Sequence, residues 1–102
     1  MDNIPDSTNM GRDARVELVL DYLVETGVAL PVACLHRNLV LNRHATFSST
    51  SLRSYLKELH EEGLVRKIDN EALDQREVRE VHLSQPGYFQ ATETARQRAV
   101  SE

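Results

Sequence analysis

Phe47-Ser-Ser-Thr-Ser-Leu-Arg-Ser-Tyr-Leu-Lys-Glu-Leu-His-Glu-Glu-Gly-Leu-Val65 is the stretch whose reading decides the fold. It opens on a cluster of hydroxyl residues able to cap a helix, continues with helical periodicity and stops at Gly63. Leu52, Leu56 and Leu59 recur at i, i+4 and i+7, which makes one narrow apolar stripe. At about 100° per residue, Thr50, Arg53, Ser54, Lys57 and Glu61 fall on the opposite side. Glu61 apart, that face is short hydroxyls and two cations without a large apolar group. Such a face suits a helix laid in a nucleic-acid groove, where hydroxyls approach phosphates and base edges and long cations reach around them. A solvated helix on the surface of a small helical domain has the same pattern, so the neighbouring chain has to decide.

Upstream, Val16, Val19, Leu20, Leu23 and Val24 form the buried stripe of a first helix. That helix is expected from Asp13 to Thr26, with Gly27 just past its end. Val28-Ala-Leu30 should be extended, because the proline that follows disfavours α geometry. Pro31 suits the first position of a second helix, with Val32, Leu35 and Leu39 inward and an end near Leu39 to Leu41. Asn42 to Thr46 is then the connection to the capped helix. Downstream, Leu64 to Ile68 alternates as a strand with Val65 and Ile68 inward, and Pro86-Gly87 turns the chain into a second strand, Tyr88 to Ala91. Tyr88 and Phe89 point to opposite faces, so at most one is available as a stacking platform and the other is core. Thr92 caps a last helix, Glu93 to Val100. Between the strands, Val78, Val81 and Leu83 predict a third strand, with a short helix over Ala72 to Val81 as the alternative.

The order is helix, short strand, helix, helix, hairpin, helix. The expected fold class is mainly α with a small β-hairpin, a winged helix-turn-helix. Residues 1–11 are polar and turn-rich and read as a flexible tail, leaving one domain over 12–102.

Net charge is −4, which by itself disfavours a polyanionic partner. The distribution reverses that reading. Residues 1–25 hold six acids and two arginines, and residues 58–102 hold ten acids and six bases. From Thr26 to Lys57 there is no acid, while Arg37, Arg43, Arg53 and Lys57 lie there. An acidic chain with one basic, acid-free segment has a place suited to phosphate there and acid elsewhere. Ten arginines against two lysines, with abundant Asp and Glu, is a halophilic composition.

Other classes lack their chemistry. No apolar run approaches the roughly 20 residues that span a bilayer, and there is no signal peptide, so a cytoplasmic protein is expected. Cys34 is the only cysteine, and Cys34 and His36 lie about 200° apart on a helix, poor for a shared metal. His44 and His60 read as surface residues. Phosphate loops, a nucleophilic serine elbow and a His-Glu-x-x-His pair are absent. An enzyme is not expected, nor is a metal, a cofactor or a small-molecule ligand.

The residues also carry a family resemblance. Asp21-Tyr-Leu-Val-Glu-Thr-Gly-Val-Ala-Leu-Pro31 with His36-Arg-Asn-Leu39 resembles the start of small winged-helix proteins of halophilic archaea and their viruses. Ser48-Ser-Thr-Ser-Leu-Arg-Ser-Tyr-Leu56, Leu59 and Glu62-Gly-Leu-Val65 are similar to that group's recognition helix. Gly87-Tyr-Phe-Gln-Ala-Thr-Glu-Thr-Ala-Arg96 resembles its closing strand and helix. The group includes sequences likened to a halophage repressor, and the resemblance covers about residues 15 to 100. It departs at Ser54-Tyr55, where the group often has two arginines, and at Asp69–Gln85, which lengthens the hairpin with five acids and two arginines.

The expected function is therefore a sequence-specific regulator of transcription, a repressor, reading the major groove of double-stranded DNA with helix 48–62. Ser49, Thr50, Arg53, Ser54 and Lys57 would face the DNA, with Ser48 at the helix start. Arg53 is the candidate for a guanine edge, because its fork matches two acceptors together. Arg43 and Lys57 suit backbone phosphates, with Lys67 helping from the hairpin. One domain of this size covers little DNA, so a homodimer on a palindrome is expected. The alternative is a winged-helix protein–protein interaction module that binds no DNA, favoured by the net charge and the acidic hairpin.

Overall fold

The first helix, α1 (Arg12–Thr26), buries Val16, Val19, Leu20, Tyr22 and Leu23 along one face. In the computed structural model residues 11–100 are described, the side chain of Val100 excepted. The tail expected over residues 1–11 thus lies outside the described residues, save for Gly11, which caps α1. Gly27 ends α1 in the left-handed region at φ 66°, its N–H donating to the Leu23 carbonyl, a conformation that costs glycine little. Val24, expected in the stripe, is half-buried, and Tyr22 takes a core place instead.

Leu30 is extended and exchanges two backbone hydrogen bonds with Phe89, at 2.9 and 2.7 Å. Pro31 has extended backbone angles and is the residue before α2 (Val32–Arg43), not its first residue. α2 also runs further than the leucine spacing predicts, to Arg43 rather than Leu39 to Leu41. Its end is made by His44 at φ 57°, a rare conformation for a side-chain-bearing residue. The N–H groups of His44 and Ala45 both reach the Leu39 carbonyl there. No glycine announces that stop.

A short connection then places Phe47 in the core, where its carbonyl meets His36 Nε2 at 2.8 Å. α3 (Ser49–Glu61) follows, burying Leu52, Leu56 and Leu59 as expected and Tyr55 in addition. Ser48 caps it, its Oγ accepting from the Ser51 N–H at 3.1 Å. Replacing Ser48 with alanine leaves that N–H without its side-chain acceptor and should lower stability by about 0.5–2 kcal/mol in a denaturant titration.

β1 (Val65–Ile68) and β2 (Tyr88–Ala91) pair antiparallel, Val65 opposite Ala91 and Ile68 opposite Tyr88. Val65, Ile68, Phe89 and Ala91 face inward. The intervening segment corrects the expected third strand. It forms a five-residue helix, α4 (Asn70–Asp74), and then touches the other edge of β1 at one bridge, Ile68 to Glu80. Val78 is 60% exposed, so it anchors nothing. The pairing stops because residues 82–85 close a local turn, with Gln85 N–H on the His82 carbonyl and Ser84 N–H on the His82 ring. Gly87 sits so close to β1 that a Cβ there would lie 2.6 Å from the Ile68 carbonyl oxygen.

The last helix, α5 (Glu93–Val100), is capped by Thr92, whose Oγ1 accepts from the Ala95 N–H and donates to the Gly63 carbonyl. That hydroxyl ties the end of the hairpin to the end of α3. α1 packs on α3, β2 and α5, and α2 packs on α3, so one core joins α1, α2, α3 and α5 to the hairpin. The result is a mainly helical fold with a two-stranded antiparallel hairpin. Among the described residues no helix is long and apolar enough to cross a membrane.

Candidate functional site

The polar face of α3 lies opposite its buried leucines, and its residues divide by partner. Ser54 Oγ accepts from Arg12 Nη2 at 3.2 Å, and Glu58 Oε1 takes two further bonds from the same guanidinium, at 3.2 and 2.9 Å. Ser54 thus faces α1 and helps hold the helices together. Ser48 is occupied by its capping bond and by Ser51, whose Oγ is 3.3 Å away. Thr50, Arg53 and Lys57 are exposed, and Ser49 is half-buried. Arg53 and Lys57 make no side-chain hydrogen bond or ion pair among the described residues.

Arg43 does not join them. It pairs with Glu25 of α1 and lies over the Tyr22 ring, 5.1 Å from its centroid. A guanidinium with a carboxylate and an aromatic face already in contact is poorly placed to neutralise a phosphate. Sequence spacing put it in the basic segment, but the Glu25 that balances it stands just outside that segment.

Arg37 takes the open place. It is exposed on α2 and, with Ser49 and Arg53, lines a groove between α2 and α3. Its membership of the acid-free segment was the available signal. Val40 and Leu41 border the same groove and are 41% and 68% exposed, an unusual apolar presentation beside two arginines.

Lys67 is on β1 and half-buried, its Nζ donating to the Leu83 carbonyl at 2.9 Å and lying 5.0 Å from the Phe89 ring centroid. Burial, and after it the nearby Arg53 charge, hold its ammonium below the ordinary lysine pKa. Arg53 is therefore a neighbour of the hairpin as well as of α2. It lines the α2–α3 groove on one side and a cleft against the hairpin on the other.

The acidic residues of the lengthened connection are partly neutralised internally. Arg79 pairs with Asp69 at 3.1 Å and Glu77 at 3.7 Å, and Arg66 reaches Glu80 at 3.9 Å and Gln90 at 2.7 Å. Cys34 is exposed. Among the described residues no three His, Cys, Asp or Glu side chains are placed to hold a metal ion.

The site is thus an open surface centred on Arg53, bounded by α2, the outer face of α3 and the hairpin. It can receive an extended anion along α3 and a compact one in the hairpin cleft. No family model, curated protein or solved structure matches the chain.

Proposed function

We propose that the chain is a winged helix-turn-helix regulator of transcription that binds double-stranded DNA, with α3 in the major groove. The observation that carries this reading is the outward face of α3. Thr50, Arg53 and Lys57 are exposed there, both cations lack an internal partner among the described residues, and Arg37 and Lys67 flank them. Unpaired cations around a helix of suitable polarity are what backbone neutralisation and base contact both require. Arg53 is the base-reading residue, Arg37 and Lys57 grip phosphates, and Ser49 and Thr50 approach the backbone. The acidic last turn, with Glu58 turned to Arg12 and Glu61 and Glu62 exposed, points away from the duplex. Repression follows as the simplest effect of such occupancy, and two copies on a palindrome would supply the contact area that one domain lacks.

Retention on random-sequence duplex DNA across a salt series tests the reading. A binder gives a negative log–log slope of roughly 0.9 per phosphate contacted. A flat dependence overturns it and favours the second reading, a protein-interaction module using the exposed Val40 and Leu41.

A further inference from the structure

The cleft between α3 and the hairpin shares Arg53 with the groove beside it and adds Lys67 and two aromatic residues, Tyr88 and Phe89. It measures about 370 Å³, and Arg53, Lys67, Asn70 and the phenol-bearing Tyr88 are the residues with polar side chains that line it, with no carboxylate. Pro31, Tyr88 and Phe89 contribute to its apolar walls. Lys67 uses one of its three N–H groups on Leu83, which leaves two. The guanidinium of Arg53 offers a planar fork that fits a carboxylate with two parallel bonds. Two cations near one another without an acid between them repel, and one anion removes that repulsion. The volume falls within the range of small-molecule pockets, which are mostly apolar with a few convergent polar groups.

We propose that this cleft binds a small organic anion with a flat apolar body, of the aromatic carboxylate class, its carboxylate on Arg53 and Lys67 and its ring against the Pro31 and Tyr88 walls. A phosphodiester has the charge but no apolar body to lay on those walls. The consequence rests on the DNA reading: a ligand on Arg53 withdraws the side chain assigned to the base edge, so the anion should release DNA. The sequence shows no such site because its parts come from the entry to α2, the middle of α3, β1, the start of α4 and the turn into β2.

Benzoate, benzyl alcohol and inorganic phosphate titrated at fixed ionic strength into the full ¹⁵N-labelled chain make the test, followed by amide shifts. Benzoate should give saturable shifts at Lys67, Asn70 and Gly87, with benzyl alcohol and phosphate each at least about tenfold weaker. Lys67→Met should weaken benzoate about tenfold while the spectrum stays dispersed, and Asn70→Ala, which removes no charge, should weaken it less. The proposal is overturned if benzoate gives no saturable shift, or if both variants bind it unchanged. Phosphate binding as tightly as benzoate overturns it too, and marks the cleft as a seat for the nucleic-acid backbone. Benzoate should then elute the chain from duplex DNA where equimolar benzyl alcohol does not. Saturable benzoate binding by a chain that retains no DNA upholds the cleft and overturns the DNA reading instead.

Discussion

Alanine at both Arg53 and Lys57 should reduce the affinity for duplex DNA by at least about tenfold at low salt, and should flatten its salt dependence. The two substitutions act on different quantities. Arg53 alone should cost about 1–3 kcal/mol of discrimination at one base pair, the value of the bidentate base contact proposed for it. Lys57 alone should weaken all sequences alike and reduce the log–log slope by about one, the signature of a lost phosphate. Both side chains are exposed and without internal partners among the described residues, so removing them leaves the core intact. Unchanged affinity in the double variant would remove α3 from the groove. Arg43→Ala makes the contrasting case: its guanidinium is engaged by Glu25 and the Tyr22 ring, so its effect should fall mainly on stability.

Tyr55→Ala should lower the free energy of unfolding by about 3–5 kcal/mol in a urea titration, a large share of the roughly 5–15 kcal/mol available to such a domain. Tyr55 is 4% exposed and stands edge-on to Phe47, with ring centroids 5.2 Å apart and planes at 79°. Arg12 lies over the same ring at 5.0 Å while bonding Ser54 and Glu58, so the ring underlies the bond between α1 and α3. Truncation would open a void at the joint of α1, α3 and the α2–α3 connection. Tyr55→Phe keeps the ring and loses one long hydrogen bond, Arg15 Nη1 to the phenol at 3.4 Å. It should therefore cost no more than about 0.5–1.5 kcal/mol. A similar loss in both variants would place the stabilisation in the hydroxyl rather than in packing.

Tyr55 also shows where the linear reading thins out. By apolar spacing, Leu52, Leu56 and Leu59 make a stripe too narrow to define a core face. Tyr55 widens it, but an aromatic residue with a hydroxyl belongs equally to a surface until a neighbour such as Phe47 is known to meet it. Tyr22 on α1 was hidden in the same way. The connection from Asp69 to Gln85 was illegible for another reason. Valines at 78 and 81 suit a strand, but β1 is four residues long and pairs with β2 throughout, leaving one bridge on its other edge. A strand is made by its partner, and sequence alternation cannot count partners.

The sequence by itself determined the order of the elements outside the 69–85 connection, the Gly27 and Ser48 boundaries, the β2 strand, and the acid-free basic segment. Those features depend on local geometry: glycine at positive φ, a hydroxyl at a helix start, and periods of 2 and 3.6 residues. Only the tertiary structure decided which members of the basic segment remain open. Arg43 and Arg53 both belong to the acid-free segment, but folding brings Glu25 to one and Lys67 to the other. One charge is balanced inside the molecule, and the other is left exposed beside a second cation. The difference is a matter of distance in space, because a charge is neutralised by whatever lies within a few ångströms of it, however far along the chain that group is.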